Sequence, residues 1–237
     1  MNLKNKLKVI VFDFDGVLVD SYSCLGPVYA YIAERIGLKG SARDEFVKKA
    51  IKYEDEQDAL GNYDRKKWWP NLFKEFNILI NEQKLDELLQ IFWEKRAEES
   101  GIVKDCEKIL RYLKEIDIKL AIMAGDDGRK SLKRRRIEKS GLSKFFDKIL
   151  IVGEDVKNRI EGIELIKKEY ELSEGDKILL VDDKPSPINE VANLKDVVTV
   201  KVEFEGPLKL AWAEECNPRF RIKTIGELKD IVEMLLQ

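Results

Sequence analysis

The segment 8–20 constrains the fold of this chain more than any other. It carries four consecutive apolar residues and then two aspartates, Asp13 and Asp15, separated by one phenylalanine. An apolar run without polar alternation predicts a strand that is buried on both faces, as in a parallel sheet. Gly16 follows and permits a sharp turn. Because ligands bind at the carboxyl ends of such strands, the paired acids indicate a functional site; the alternative is a solvated acidic turn.

Four further apolar segments recur along the chain, with helical stretches between them. They span residues 119–125, 148–153, 177–183 and 197–202. Strands that alternate with amphipathic helices predict an α/β fold built on a doubly wound parallel sheet.

The stretch between the first and second strands is far longer than one crossover requires. Its pattern predicts helices at about 25–37, 42–60, 65–77 and 81–99. We therefore predict an inserted helical subdomain over residues 21–100. Residues 1–20 and 101–237 would form the α/β core. The alternative is a long, decorated crossover.

The composition excludes several classes of chemistry. The chain has no histidine, which rules out Ser-His-Asp and Cys-His catalysis and histidine-ligated zinc. A metal would therefore be bound by oxygen, which favours Mg²⁺ or Mn²⁺. The net charge is only −2, so no global field selects nucleic acid or an anionic membrane. The apolar runs are too short to cross a membrane, and the three scattered cysteines are typical of reduced, cytoplasmic thiols.

The motif Asp-x-Asp-Gly-x-Leu over residues 13–18 resembles the first signature of the haloacid dehalogenase (HAD) superfamily, whose members are mostly magnesium-dependent phosphohydrolases. This resemblance implies that Asp13 is the nucleophile that accepts a phosphoryl group and that Asp15 is the general acid and base. It also implies a Rossmann-like core on which the inserted helices form a cap of the C1 type. A carboxylate nucleophile forms an aspartyl-phosphate, which divides one difficult displacement into two easier ones.

The second motif departs from the family pattern. Where the family has a Thr or Ser that binds a phosphate oxygen, this sequence has Ala124 followed by Gly125. We expect the backbone N–H of Gly125 to replace part of the missing contact. The acids that follow, Asp126 and Asp127, are interpreted as helix N-caps.

Basic and aromatic residues supply the remaining candidates outside the acidic motifs. The resemblance assigns the lysine of the third motif to Lys157, with Arg159 as the alternative. The basic segment 130–139 is interpreted as a solvated helix. In the inserted region, Tyr63 and Trp68 are candidates for substrate contact.

The fourth motif is the pair Asp182–Asp183 at the exit of the fourth strand, and Pro187 stands where another form of the motif has a further acid. The resemblance implies a Mg²⁺ site formed by Asp13, the Asp15 carbonyl, Asp183 and water, with Asp182 in support. Asn189 and Glu190 are open candidates for the same shell.

Together these features predict a cytoplasmic, Mg²⁺-dependent phosphatase that acts on a small phosphorylated metabolite. We expect a monomer or a homodimer, with no nucleic-acid or membrane partner. A phosphomutase of the same fold and a non-catalytic regulatory protein remain alternatives. The dehalogenases that the motif resembles lack an acid at the position of Asp15, which disfavours that activity.

Overall fold

The computed structural model describes residues 7–237, so the first six residues of the predicted core segment lie outside the described part. The strands are β1 (Leu7–Phe12), β2 (Val19–Asp20), β3 (Gly101–Ile102), β4 (Lys119–Gly125), β5 (Lys148–Val152), β6 (Lys177–Asp182), β7 (Val197–Val202) and β8 (Phe220–Ile222). The helices are α1 (Leu25–Arg35), α2 (Gly40–Ala59), α3 (Trp69–Lys74), α4 (Glu82–Glu99), α5 (Cys106–Glu115), α6 (Leu132–Lys139), α7 (Arg159–Glu169), α8 (Pro185–Val191) and α9 (Leu228–Leu236).

Six strands form one sheet in the order β5-β4-β1-β6-β7-β8, and every neighbouring pair is parallel. The predicted α/β fold with a parallel sheet is confirmed. Phe12 is in register with Ile122 of β4 on one side and Val181 of β6 on the other. The carboxyl ends of these three central strands therefore lie side by side.

Both faces of β1 are buried, which explains its unbroken apolar run. Ile10 and Phe12 face one apolar cluster, which α5, α6 and α9 cover. Val9 and Val11 face a second cluster, which α7 and α8 cover. Because side chains alternate along a strand, a strand between two helical layers needs apolar residues at every position.

Helices α1 to α4 lie between β2 and β3 and enclose an apolar cluster of their own, centred on Tyr29, Trp69 and Phe92. The predicted helix at 65–77 is instead a 3₁₀ turn at Arg65–Lys67 followed by α3. Pro70 explains the break, since proline has no backbone N–H and belongs in the first turn of a new helix.

The sequence pattern did not predict three short strands. β8 extends the sheet by only three residues, and β2 pairs with β3 in an antiparallel ribbon of two residues each. This ribbon brings together the two chain segments that connect the inserted helices to the sheet. Within residues 7–237, no helix is long and apolar enough to span a membrane.

Candidate active site

Three aspartates converge where β1 and β6 end. Asp13 follows β1, and its backbone N–H donates to the Val181 carbonyl at 2.9 Å. Asp182 is the last residue of β6, and Asp183 comes next. One carboxylate oxygen from each acid lies within 4.8 Å of the other two. The parallel register of the two strands is what brings these acids together.

Burial of this acid cluster makes three negative charges costly. Asp13 is 9% exposed, while Asp182 and Asp183 are almost fully buried. Burial, and then the charge of Asp182, raises the pKa of Asp13 to about 7. Burial and the charges of Asp182 and Asp13 raise the pKa of Asp183 well above its usual value. A bound cation would offset both effects.

The donor set fits a small divalent cation. Asp183 Oδ1 is buried and has no hydrogen-bond partner among residues 7–237, which is costly unless a ligand completes its contacts. Carboxylate oxygens are the ligands that Mg²⁺ prefers. Asn189 and Glu190 are engaged elsewhere: the Asn189 amide donates to Glu214 Oε1 at 2.9 Å, and Glu190 accepts the N–H of Arg159 at 2.7 Å.

Gly16 provides the turn that leads the chain away from this cluster. Its φ is +81°, and a Cβ at this position would overlap the Asp183 carboxylate.

We expect Gly16→Ala to destabilise the fold by about 2–4 kcal/mol, because it adds left-handed backbone strain to overpacking. It should also displace the Asp183 carboxylate. Gly26→Ala in α1 is the matched control, since a Cβ there meets nothing within 4 Å. Urea unfolding measures both variants, and equal stability of the two would contradict the overlap.

Asp15 lies in a buried cluster of four charges. Lys133 Nζ and Arg136 Nη1 both contact its Oδ2, and Arg136 Nη2 contacts Oδ1 at 2.5 Å. The same two bases pair with Asp127 at 2.9 Å each. Burial alone would raise the pKa of Asp15, but the charges of Arg136 and Lys133 outweigh it and hold that pKa well below its usual range.

This cluster corrects two sequence interpretations. The basic helix was interpreted as solvated, yet Lys133 and Arg136 of α6 are 6% and 5% exposed. Asp126 and Asp127 were interpreted as helix N-caps, but α6 begins at Leu132, after Ser131. The sequence offered one signal for this burial: Lys133 and Arg136 are three residues apart, on the helix face that also carries the apolar Ile137.

β4 ends at Gly125, as the sequence predicted, and of its last two residues only Gly125 lines the cleft. Ala124 is fully buried in the core cluster and does not line the cleft, whereas Gly125 and Asp126 do. Of the two residues placed at the phosphate-binding second motif, Ala124 therefore does not reach the cleft, whereas Gly125 does. Asp126 Oδ1 accepts the N–H of Gly128 at 2.5 Å and shapes the turn before α6.

The candidates for the third motif are placed differently from each other. Lys157 is exposed at the edge of the cleft, just before α7, and forms no ion pair with another described residue. Arg159 lies deeper, with Nη2 at 3.5 Å from Asp182 Oδ2. Arg159 is therefore the cation in contact with the acid cluster, and Lys157 is free to reach a ligand in the cleft.

The inserted helices form the wall of the cleft that faces the carboxyl ends of the strands. Lys184, next to Asp183, forms a salt bridge of 2.8 Å with Asp58 at the end of α2. Tyr63 lines the cleft and stays a candidate for substrate contact, whereas Trp68 does not line it and stacks on Tyr53 instead. A Cβ on Gly128 would lie 2.5 Å from the Asp64 backbone, so the helical insert packs directly on the sheet edge.

The resulting cleft has a volume of about 730 Å³. Acids and bases from both the sheet edge and the helical insert line it, with Leu208 and Leu210 contributing apolar surface. This volume lies within the range of pockets that bind small molecules.

Comparisons with known proteins are consistent with this geometry. The family model described as haloacid dehalogenase-like hydrolase matches residues 10–194. No protein of curated function matches the sequence.

Solved structures similar to this chain include enzymes of different activity. A proposed HAD-type hydrolase of Bacillus subtilis, bound to magnesium, is 16% identical over 97% of this chain and 100% of its own, with a TM-score of 0.71. A proposed β-phosphoglucomutase of Thermotoga maritima is 18% identical over the same shares, with a TM-score of 0.70. The L-2-haloacid dehalogenase of Xanthobacter autotrophicus is 15% identical over 96% of this chain and 98% of its own, with a TM-score of 0.64. At these identities the likeness shows the fold alone.

Proposed function

This chain belongs to the haloacid dehalogenase-like hydrolase family, and from that premise we propose that it is a Mg²⁺-dependent phosphatase for a small phosphorylated metabolite. One observation carries the proposal: Asp13 and Asp15 both line the cleft, at the edge where the buried acid cluster lies. A nucleophile and a proton-transfer group therefore face the same space.

Asp15 is what favours phosphate esters over organohalides. A halide leaves as a stable anion and needs no proton, whereas the oxygen of a phosphate ester leaves readily only when it is protonated. Asp15 is the acid placed for that transfer, two residues from Asp13. A dehalogenase would have no use for it.

The proposed reaction has two halves on the same carboxylate. Asp13 attacks phosphorus, the bond to the leaving oxygen breaks, and Asp15 gives that oxygen a proton. Water then attacks phosphorus, Asp15 takes the proton from this water, and the bond between Asp13 and phosphorus breaks, which releases phosphate and restores the Asp13 carboxylate. Lys133 and Arg136 hold Asp15 ionised, ready for the second half. The negative charge of an arriving substrate raises its pKa, as the first half requires.

The positive charge needed during transfer comes from several residues. Arg159 beside Asp182 and Lys157 at the cleft edge would face the phosphoryl oxygens. Asp13, Asp183 and the Asp15 carbonyl would hold Mg²⁺, with Asp182 in support. When bound, the ion would neutralise charge on the transferring group. The helical cap excludes bulk water and contacts the rest of the substrate.

Removal of the metal is expected to abolish turnover. Phosphate release should fall to background in a chelator and return with Mg²⁺, whereas Ca²⁺, which prefers more ligands at longer distances, should not restore it. Release is measured from an aryl phosphate and from a panel of sugar and three-carbon phosphates. Full activity in the chelator would contradict the proposal.

The same panel, extended by 2-chloropropionate, distinguishes the rival activities. Chloride release from 2-chloropropionate, without phosphate release, would indicate a dehalogenase. Conversion of a sugar phosphate into its isomer, with no net phosphate release, would indicate a phosphomutase. Inactivity on all substrates would favour a regulatory protein, in which Asp126 repels phosphate at the second motif.

A further inference from the structure

A segment between β7 and β8 joins the sheet to the helical cap. This segment, residues 203–215, is called the strap. Leu208 is 2% exposed and packs in the apolar cluster of the cap. Asp55 of α2 accepts the backbone N–H groups of Lys209 and Leu210 at 2.6 and 2.8 Å. The strap is therefore fixed on the cap although it belongs to the core in chain order.

The strap also reaches the acid cluster through Trp212. The indole N–H of Trp212 donates to Asp183 Oδ2 at 2.9 Å. The other oxygen of that carboxylate, Oδ1, is buried and has no hydrogen-bond partner among the described residues. One oxygen of Asp183 is thus held by the protein, and the other is left for a ligand.

The ring of Trp212 is itself held from several sides. It stacks on Phe204 with centroids 4.4 Å apart and meets Tyr22 edge-on at 5.2 Å. Lys184 Nζ lies 4.8 Å from its centroid. A donor fixed in this way restricts rotation of the Asp183 carboxylate more than a mobile side chain would.

We propose that Trp212 is a positioning residue for the metal: its N–H orients Asp183 so that Oδ1 faces the cation. Partners of metal ligands commonly act in this way, and their loss weakens metal binding about 10–100-fold. This inference rests on the metal site of the proposed function but not on the substrate or the reaction. Sequence patterns gave no indication of it, because Trp212 is 29 residues from Asp183.

The test measures metal binding directly, with Mn²⁺ as a paramagnetic substitute for Mg²⁺. Trp212→Phe removes the N–H and retains an aromatic ring beside Phe204. Trp68→Phe is the matched control, because Trp68 Nε1 is buried with no hydrogen-bond partner within residues 7–237. Free Mn²⁺ is followed by electron paramagnetic resonance, with Mg²⁺ as competitor, on the full chain. Circular dichroism and the metal-free melting temperature check that each variant folds.

We expect Trp212→Phe to raise the Kd for Mn²⁺ about 10–100-fold, with a metal-free melting temperature close to that of the wild type. Trp68→Phe should bind Mn²⁺ like the wild type. Equal Mn²⁺ affinity in Trp212→Phe and wild type would overturn the inference and leave the proposed phosphatase intact. A wild type that binds no Mn²⁺ would overturn both this inference and the metal site of the proposed function.

Discussion

Asp13→Asn is expected to lower phosphate release by at least about 10⁴-fold, because a neutral amide cannot form the aspartyl-phosphate. The variant should fold as the wild type does. Asp117→Asn is the matched control: Asp117 is exposed in the loop before β4, at the opposite end of the strands. Phosphate release under Mg²⁺ saturation is the measurement. Retention of more than about 1% of wild-type activity would refute the nucleophile assignment.

The same substitution has a predictable effect on stability without metal. Burial raises the pKa of Asp13 to about 7, above the value of about 3.9 for an unfolded chain. An acid with a raised native pKa lowers stability at pH values where the unfolded state ionises it. Metal-free Asp13→Asn should therefore be more stable than the wild type at pH 8. Below about pH 4 Asp13 is protonated in both states, so this advantage disappears.

The sequence predicted the sheet well because its signals are local. β4, β6 and β7 lie within or match the predicted segments 119–125, 177–183 and 197–202. β4 and β6 each contain an unbroken apolar run, as a strand between two helical layers requires, whereas β7 includes Thr199 and Lys201. β8 was missed because it has three residues and a central arginine, so it offers no periodicity.

The position of the acid cluster could be predicted in the same way. Its three aspartates stand where apolar runs end, so they lie at the carboxyl ends of the predicted strands. At the second motif, the apolar run gave the bounds of β4 but did not show which of its last residues faces the cleft. β4 continues through Gly125, which leaves Ala124 facing the core and brings Asp126 to the cleft. Alternation along the strand, rather than its apolar length, decides which residue reaches the site.

Ion pairs between residues that are far apart in the sequence could not be predicted from it. Lys133 and Arg136 are separated from Asp15 by 118 and 121 residues, and in a basic run each resembles its solvated neighbours. Only the packing of α6 against the sheet distinguishes them from Arg134, whose side chain is 34% exposed. Assignment of Asp15 to acid–base chemistry was possible from its motif, but the residues that hold it were not identifiable.

Arg136→Met is expected to lower the free energy of unfolding by about 3–5 kcal/mol, because it leaves buried carboxylates without one of their two cations. Methionine retains most of the apolar contact with Phe14 and Trp93, over which the guanidinium lies at 5.7 and 5.4 Å. Arg134→Met, on the same helix, breaks only the half-exposed pair with Asp155 and should cost about 0–1 kcal/mol. Urea unfolding followed by circular dichroism measures both variants.

A second substitution tests whether charge, rather than packing, causes this loss. Asp127→Asn in the Arg136→Met background removes one of the two carboxylates that Arg136 contacts, so it should restore part of the stability; no restoration would attribute the loss to packing.

A lower pH should also reduce the difference in stability between the wild type and Arg136→Met. The native pKa values of Asp15 and Asp127 are lowered, so their stabilisation is complete above the unfolded value of about 3.9 and is lost as the pH falls through the native values. The difference between wild type and Arg136→Met should therefore shrink below about pH 4, because protonated carboxyls no longer require the arginine.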